Sequence, residues 1–426
     1  MGSPREDAMN MLIDEERLAE ARTHAASMPL ERIDVTHFDL FRHDTVGAYL
    51  ERLRRDDPVH WHEDSHHGPF WSITRFDDIK YVDTHHQLFS SEGSIVLDDP
   101  RDDLPVEQFI AMDPPRHDVQ RRTVAPVTGP RNLAALESTV RAHAAEILDG
   151  LPTDRAFDWV PQVSIELTTR MLATIFAFPF EDRHKLPFWS DVATGGKHTG
   201  MVETREEQLA ILRECLDTFT ALLEERRRWP EPGMDLLSML AHGEHTRDMD
   251  EMTFLGNLLL LIVGGNDTTR NSISGGVLAL NRFPEEYAKL KADPSLIPNM
   301  VAEIIRWQTP LAYMRRTANE DTELGGKRIR AGDRIAMWYL SGNRDETVFE
   351  DADRLVIDRP NARSHVAFGY GLHRCMGNRL AELQLRVLWE EILERFDHVE
   401  VTGPPERTRS NFVRGYTSLP VRVHPR

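Results

Sequence analysis

Phe368-Gly-Tyr-Gly-Leu-His-Arg-Cys375-Met-Gly377 decides how this chain is read. One cysteine sits in a glycine-rich loop, with His373 and Arg374 just before it. Glycines at Gly369 and Gly377 let a backbone approach a flat surface with no Cβ in the way. An amphipathic segment, Gly377–Phe396, follows at once, with Leu380, Leu383, Val387 and Leu388 on one helical face. A helix starting there turns free N–H groups and the positive end of its dipole toward the sulfur, which favours the thiolate. That is how a chain presents a single thiolate to a large flat metal cofactor. The plain alternative for a lone cysteine is structural burial in a turn.

Working outward, the next informative segment is a long helix over Asp250–Asn281, ended by Pro284. At 1.5 Å per residue it spans about 48 Å, the width of a domain. It carries Gly264-Gly-Asn-Asp267-Thr268-Thr269. Two adjacent glycines inside a helix cost about 2 kcal/mol relative to alanine, so something must compensate. Close helix crossing is one explanation, and it suits Gly275-Gly276. At the first pair, Asp267-Thr268 adds an acid and a hydroxyl able to bond a carbonyl or a bound ligand.

Together these stretches resemble the cytochromes P450. Phe368-x-x-Gly-x-His-x-Cys375-x-Gly377 is similar to that family's haem-binding signature, and Gly264-Gly-x-Asp267-Thr268 to its oxygen-activation motif. The resemblance implies a mainly α fold: one large helical unit with small β-sheets and a long central helix over the haem. It implies haem b with Cys375 as the metal ligand. Phe368, Gly369, His373, Gly377, Gly264 and Thr268 then border the cofactor. Asp267 and Thr268 are the expected catalytic pair for proton delivery to dioxygen, with Thr269 in support. Enzymes of this family driven by peroxide commonly lack that pair, so its presence favours O2 and two electrons.

Haem has two propionates and needs cations. His117 and Arg121 are four apart and share a helix face. They resemble one propionate-binding pair, and Arg316 and His373 match the other positions. Glu303-Ile-Ile-Arg306 and Arg359 resemble the family's structural charge network under the haem. His60, His62, His85 and His86 have no convincing metal-ligand spacing and read as surface loop residues.

The chain has 426 residues with 40% hydrophobic content, which is enough for a sizeable core. We read residues 1–34 as an N-terminal extension, containing one polar helix over Asp7–Ala26, and 35–426 as a single domain. Phe70–Thr74 reads as a strand, Gln87–Gln108 as loop, and Pro115–Glu225 as helices broken near Pro152–Pro161 and Gly195–Gly200. Helices follow over 285–308, then a hairpin at Thr322–Gly326 and an apolar run Arg334–Leu340. Residues 341–374 read as an irregular meander. The net charge of −19 argues against nucleic acid as a partner. Leu258–Val263, the longest apolar run, is far short of the roughly 20 residues a membrane helix needs, so no membrane anchor is expected. Two cysteines, one of them implied to hold iron, leave no intrachain disulfide, which fits the cytoplasm.

Val263–Gly276, Arg306–Ala312 with Met314–Arg316, and Met337–Arg344 look like the bacterial alkane and fatty-acid terminal hydroxylases. That resemblance implies hydroxylation of the end methyl of n-alkanes, fatty acids or primary alcohols. It also implies a [2Fe-2S] ferredoxin with its reductase as electron donor, since no flavin or nicotinamide module is read here. Arg121, Arg122, Arg374 and Arg379 are candidates for the basic docking patch, with plain surface arginines as the alternative. Ile95, Val96, Leu97, Val263, Gly264, Leu311, Met314 and Phe412, with Val413, are candidate substrate contacts. Core packing is the alternative for each. A hydroxylase tailoring a terpene, steroid or polyketide keeps every haem motif and is the alternative function. A haem-thiolate sensor or carrier is disfavoured by Asp267-Thr268, since a carrier needs no proton relay.

Overall fold

The computed structural model describes residues 14–100, 102–195 and 201–426. The start of the polar helix expected over Asp7–Ala26 and most of the Gly195–Gly200 break lie outside them.

Seven helices position the site. They are α1 (Phe76–Thr84), α2 (Arg116–Val124), α3 (Glu166–Phe176), α4 (Lys185–Gly195), α5 (Glu251–Arg282), α6 (Ile297–Gln308) and α7 (Asn378–Arg395). α5 is the long helix of the sequence, and its limits are chemical. The Asp250 carboxylate accepts from the Met252 and Thr253 N–H groups at one end, and Pro284 blocks continuation at the other. Its second glycine pair is a crossing point. A Cβ on Gly275 would lie 2.4 Å from the Gln308 side chain, and one on Gly276 would lie 2.9 Å from Ile304. Only bare backbone lets α6 cross α5 this closely.

One five-stranded sheet runs in the order Val59–His62, Phe70–Ile73, Arg334–Met337, Met314–Ala318, Phe89–Ser90. The Phe70–Ile73 and Arg334–Met337 strands are parallel, and the other neighbours are antiparallel. Thr322–Leu324 and Lys327–Ile329 form the expected hairpin, with Gly325 and Gly326 both at positive φ in its two-residue turn. The fold is the mainly helical one with small sheets that the resemblance implies. Three local expectations change. His60 and His62, read as surface loop residues, are buried in the strand Val59–His62, where the His62 ring stacks on Phe70. The stretch Gln87–Gln108 is not all loop, because Phe89–Ser90 pairs with the sheet edge. The apolar run Arg334–Leu340 is strand only to Met337, after which a short helix, Tyr339–Gly342, begins.

The largest core surrounds α5 and takes side chains from α3, α4, α6 and α7. A second core joins Phe41, Leu50 and Leu53 to Leu97, Tyr313 and Trp338. Ala21, Ala25 and Ile33, from the segment read as an extension, also lie in it. At its edge His62 and Trp338 share Ser72. The Trp338 indole N–H donates to Ser72 Oγ at 2.8 Å, and His62 Nε2 lies 2.7 Å from that oxygen. Burial pushes His62 down to about 3, and His365 likewise to about 3. Both rings therefore stay neutral in the folded protein, whereas the unfolded chain protonates them below about pH 6.5. The unfolded state then binds more protons, so stability falls as pH drops from 6.5 toward 3. The slope is about 1.4 kcal/mol per pH unit for each histidine. Denaturant midpoints measured between pH 7 and pH 4.5 check this. His62→Gln should flatten the slope, and an equal slope in that variant would contradict it.

Candidate active site

The cysteine loop is shaped by its own backbone. Cys375 N–H donates to the Phe368 carbonyl at 2.8 Å, closing the loop. Gly369 and Gly371 sit at φ +66° and +61°, a region that L side chains rarely adopt. The thiol is open on one side. Protein surrounds it at longer range, and that desolvation pushes it up. The N–H groups of Gly377 and Asn378, at the start of α7, oppose this, as do Arg121 and Arg374. The same groups stabilise a thiolate, and a bound metal removes the proton outright.

His117, Arg121, Arg316 and His373 come from three separate parts of the chain and converge here. The His117 and His373 rings lie 4.3 Å apart. Burial, and then the charges of Arg316, His117 and Arg121, push His373 down to about 2. Arg121 also donates to the Arg374 carbonyl, tying α2 to the loop. His117 Nε2 and both ring nitrogens of His373 are buried without a hydrogen-bond partner among the described residues. Buried polar groups are rarely left so. A dianionic porphyrin with an iron for the thiolate fits this donor set, because its carboxylates suit the cations and imidazoles.

On α5, residues are enclosed nearly all round except on one line. Gly264 is exposed there, and Leu260 and Thr268, four residues to either side, are half-buried, as are Leu261 and Val263 beside them. A Cβ on Gly264 would meet nothing within 4 Å. Thr268 Oγ1 donates back to the Gly264 carbonyl at 2.9 Å. Asp267, by contrast, is turned into the protein. It accepts from Ser190 on α4 at 3.1 Å and from Asn266 at 3.0 Å, and lies 3.2 Å from Arg270. Burial pushes its carboxyl up, against Arg270 and those two donors. Thr269 is buried as well, and its hydroxyl has no partner among the described residues.

The three scaffold charges meet as one buried network. Glu303 takes two 2.7 Å bonds from Arg306 and one of 3.0 Å from Arg359. Arg306 also donates to the carbonyls of Asn343, Ala352 and Arg354, pinning the meander. The candidate substrate contacts fall into three adjoining strips. Arg315 N–H donates to the Ile95 carbonyl, Leu311 bridges Val413, and Ala312 N–H donates to the Phe412 carbonyl. Ile95, Val96, Leu311, Met314 and Phe412 are half-buried. Leu97 is different: it is fully enclosed and packs in the second core, with Tyr313 OH beside its own N–H at 3.2 Å. It is a packing residue.

Two contributors were missed. Asn257 ties α5 to the loop before α2 and to α2 itself: its amide oxygen accepts from Phe109 N–H at 2.9 Å and its NH2 donates to Gln120 at 2.8 Å. Asp83 is a buried acid facing Arg316. The signal for Asp83 was available. It continues the Phe76, Ile79, Val82 stripe of α1, which is a core position.

This cysteine loop, and the helix that pairs a buried acid with a hydroxyl on its open line, define a haem-thiolate protein. The sequence pattern of the family described as Cytochrome P450 matches residues 169–421. A solved structure, CYP153D17 from Sphingomonas sp. PAMC 26605, is 49% identical, covers 93% of this chain and 100% of its own, and superposes with a TM-score of 0.87. Linalool 8-monooxygenase from Pseudomonas putida is 35% identical over 93% of this chain and 100% of its own. The methyl-branched lipid omega-hydroxylase of Mycobacterium tuberculosis is 32% identical over 94% of this chain and 96% of its own. The chain belongs to the cytochrome P450 family, and is a monooxygenase with haem b as its cofactor. Among the described residues no helix is long and apolar enough to cross a membrane.

Proposed function

We propose that this enzyme hydroxylates the terminal methyl of linear hydrophobic chains such as n-alkanes, fatty acids and primary alcohols. The observation that carries this reading is the open line on α5, where Gly264 has free space between apolar neighbours. The omega-hydroxylase relative supports it. In this reading Cys375 holds the iron, and His117, Arg121, Arg316 and His373 hold the propionates. Thiolate-ligated haem supplies the cleavage of O2 and transfer of one oxygen atom to carbon.

The remaining work belongs to the chain. A terminal C–H bond is stronger than an internal one, so terminal selectivity has to come from shape. Each tenfold of selectivity requires about 1.4 kcal/mol of differential transition-state stabilisation. Val263, Leu311, Met314 and Phe412, with Ile95 and Val96, are the apolar groups we assign to a channel that admits a chain end at Gly264. Asp267 is held off this face and takes a proton more readily than an exposed carboxylate, because burial opposes its charge. It passes that proton to Thr268, whose hydroxyl leaves the Gly264 carbonyl to donate into the cavity.

Electrons come from an external donor, for which we propose a [2Fe-2S] ferredoxin with its reductase. Arg122, Arg374 and Arg379 are exposed on the cysteine side, whereas Arg121 is committed to the Arg374 carbonyl. A local basic patch on a chain of net charge −19 makes docking sensitive to salt. A cytoplasmic location, where Cys215 and Cys375 stay reduced, goes with this reading.

Gly264→Phe is the direct test. It is expected to abolish turnover of dodecane while haem content stays at the wild-type level. Unchanged turnover would contradict the channel. The linalool relative favours a second reading, a hydroxylase of terpene alcohols. Side-by-side turnover of linalool and dodecanoic acid separates the two.

A further inference from the structure

We propose that Asp83 is a positioning residue for the haem site, clamping Arg316 and the cysteine loop together and offsetting the charge of Arg316. The proposal rests on the reading that Arg316 faces a haem propionate. Asp83 is 2% exposed and lies at the C-terminal end of α1. An anion there opposes the helix dipole, so the helix itself gives no reason for it. The reason is its partners. Oδ1 accepts from the Arg316 guanidinium at 2.7 Å, and Oδ2 accepts from Tyr339 OH and from Tyr370 N–H, both at 2.8 Å. These donors come from the Met314–Ala318 strand, the Tyr339–Gly342 helix and the cysteine loop.

Backbone contact reinforces the clamp. A Cβ on Gly371 would lie 2.5 Å from the Asp83 carbonyl, so the loop runs hard against the end of α1. Burial pushes the carboxyl up, while the donors Arg316, Tyr339 OH and Tyr370 N–H oppose this and favour its ionised form. The second terminal nitrogen of the same guanidinium donates to the Arg315 carbonyl at 2.8 Å, which fixes the plane of the group. It thus meets the cofactor in one orientation, with much of its charge already balanced. A residue serving the fold alone would alter stability when changed. It would leave the potential of the loaded protein where it was.

The test compares wild-type holoprotein with Asp83→Asn and Arg316→Gln, reading the haem midpoint potential and the rate of haem transfer to excess apomyoglobin. Asp83→Asn should move the midpoint to more positive values, because the arginine charge is no longer offset. It should also release haem about tenfold faster, equivalent to about 1.4 kcal/mol. Arg316→Gln should release haem faster and move the midpoint the other way. A midpoint and release rate unchanged in Asp83→Asn, with Arg316→Gln shifted, would overturn the proposal alone. Wild-type values in Arg316→Gln would overturn the propionate reading and the proposal with it. Where either variant fails to accumulate with haem, Tyr339→Phe decides, since it keeps both charges and removes one donor. Faster release than wild type then supports the clamp, and the wild-type rate overturns it.

Discussion

Arg306→Ala is expected to give protein that does not retain haem. The guanidinium holds the Glu303 carboxylate by two bonds and three meander carbonyls besides, all inside the protein. Truncation leaves Glu303 with Arg359 as its remaining cation. It also leaves the carbonyls of Asn343, Ala352 and Arg354 short of a donor. Breaking one partner of a buried pair costs about 3–5 kcal/mol. Whole proteins are stable by only about 5–15 kcal/mol, so the meander is expected to come away. The meander leads directly into the cysteine loop, and with it goes the iron ligand. Haem-to-protein absorbance ratio and thermal unfolding read the effect. A folded variant with normal haem content would contradict it.

The second large effect is expected at Asp267. Asp267→Asn should lower oxygen-dependent product formation by about 10²-fold, the scale of a lost proton-transfer group. Folding should be spared, because Arg270 keeps its 2.7 Å bond to Asp191. The asparagine side chain also still accepts from Ser190. Turnover driven by peroxide brings its own protons and should fall far less. Parallel rates with O2 plus reductant and with peroxide check the claim. Equal losses by both routes would place Asp267 in the scaffold rather than the relay.

Much of this was legible because the chemistry is written in local patterns. Asp250 and Pro284 mark both ends of α5 by capping and by a missing donor, so its extent follows from residues alone. Gly325-Gly326 fixes the hairpin for an equally local reason. What stayed hidden depends on contacts between distant segments. Leu97 reads as an apolar island in an acidic loop, yet Arg315 and Arg334 hold that loop by its carbonyls and turn the side chain into the second core. Phe89–Ser90 becomes a strand only because Thr317 and Ala318 lie alongside. The direction of Asp267, inward to Ser190 and away from the open line, depends on where α4 packs. The α1 stripe marks Asp83 as a core position, but its role there depends on partners more than 200 residues away.

The measurement closest to the central claim is the position of the hydroxyl group after turnover of octane and of dodecanoic acid with a surrogate ferredoxin and reductase. Terminal alcohols are expected as the main product from both. Efficient turnover giving mainly internal alcohols would contradict the chain-end channel at Gly264 while leaving the haem-thiolate chemistry in place.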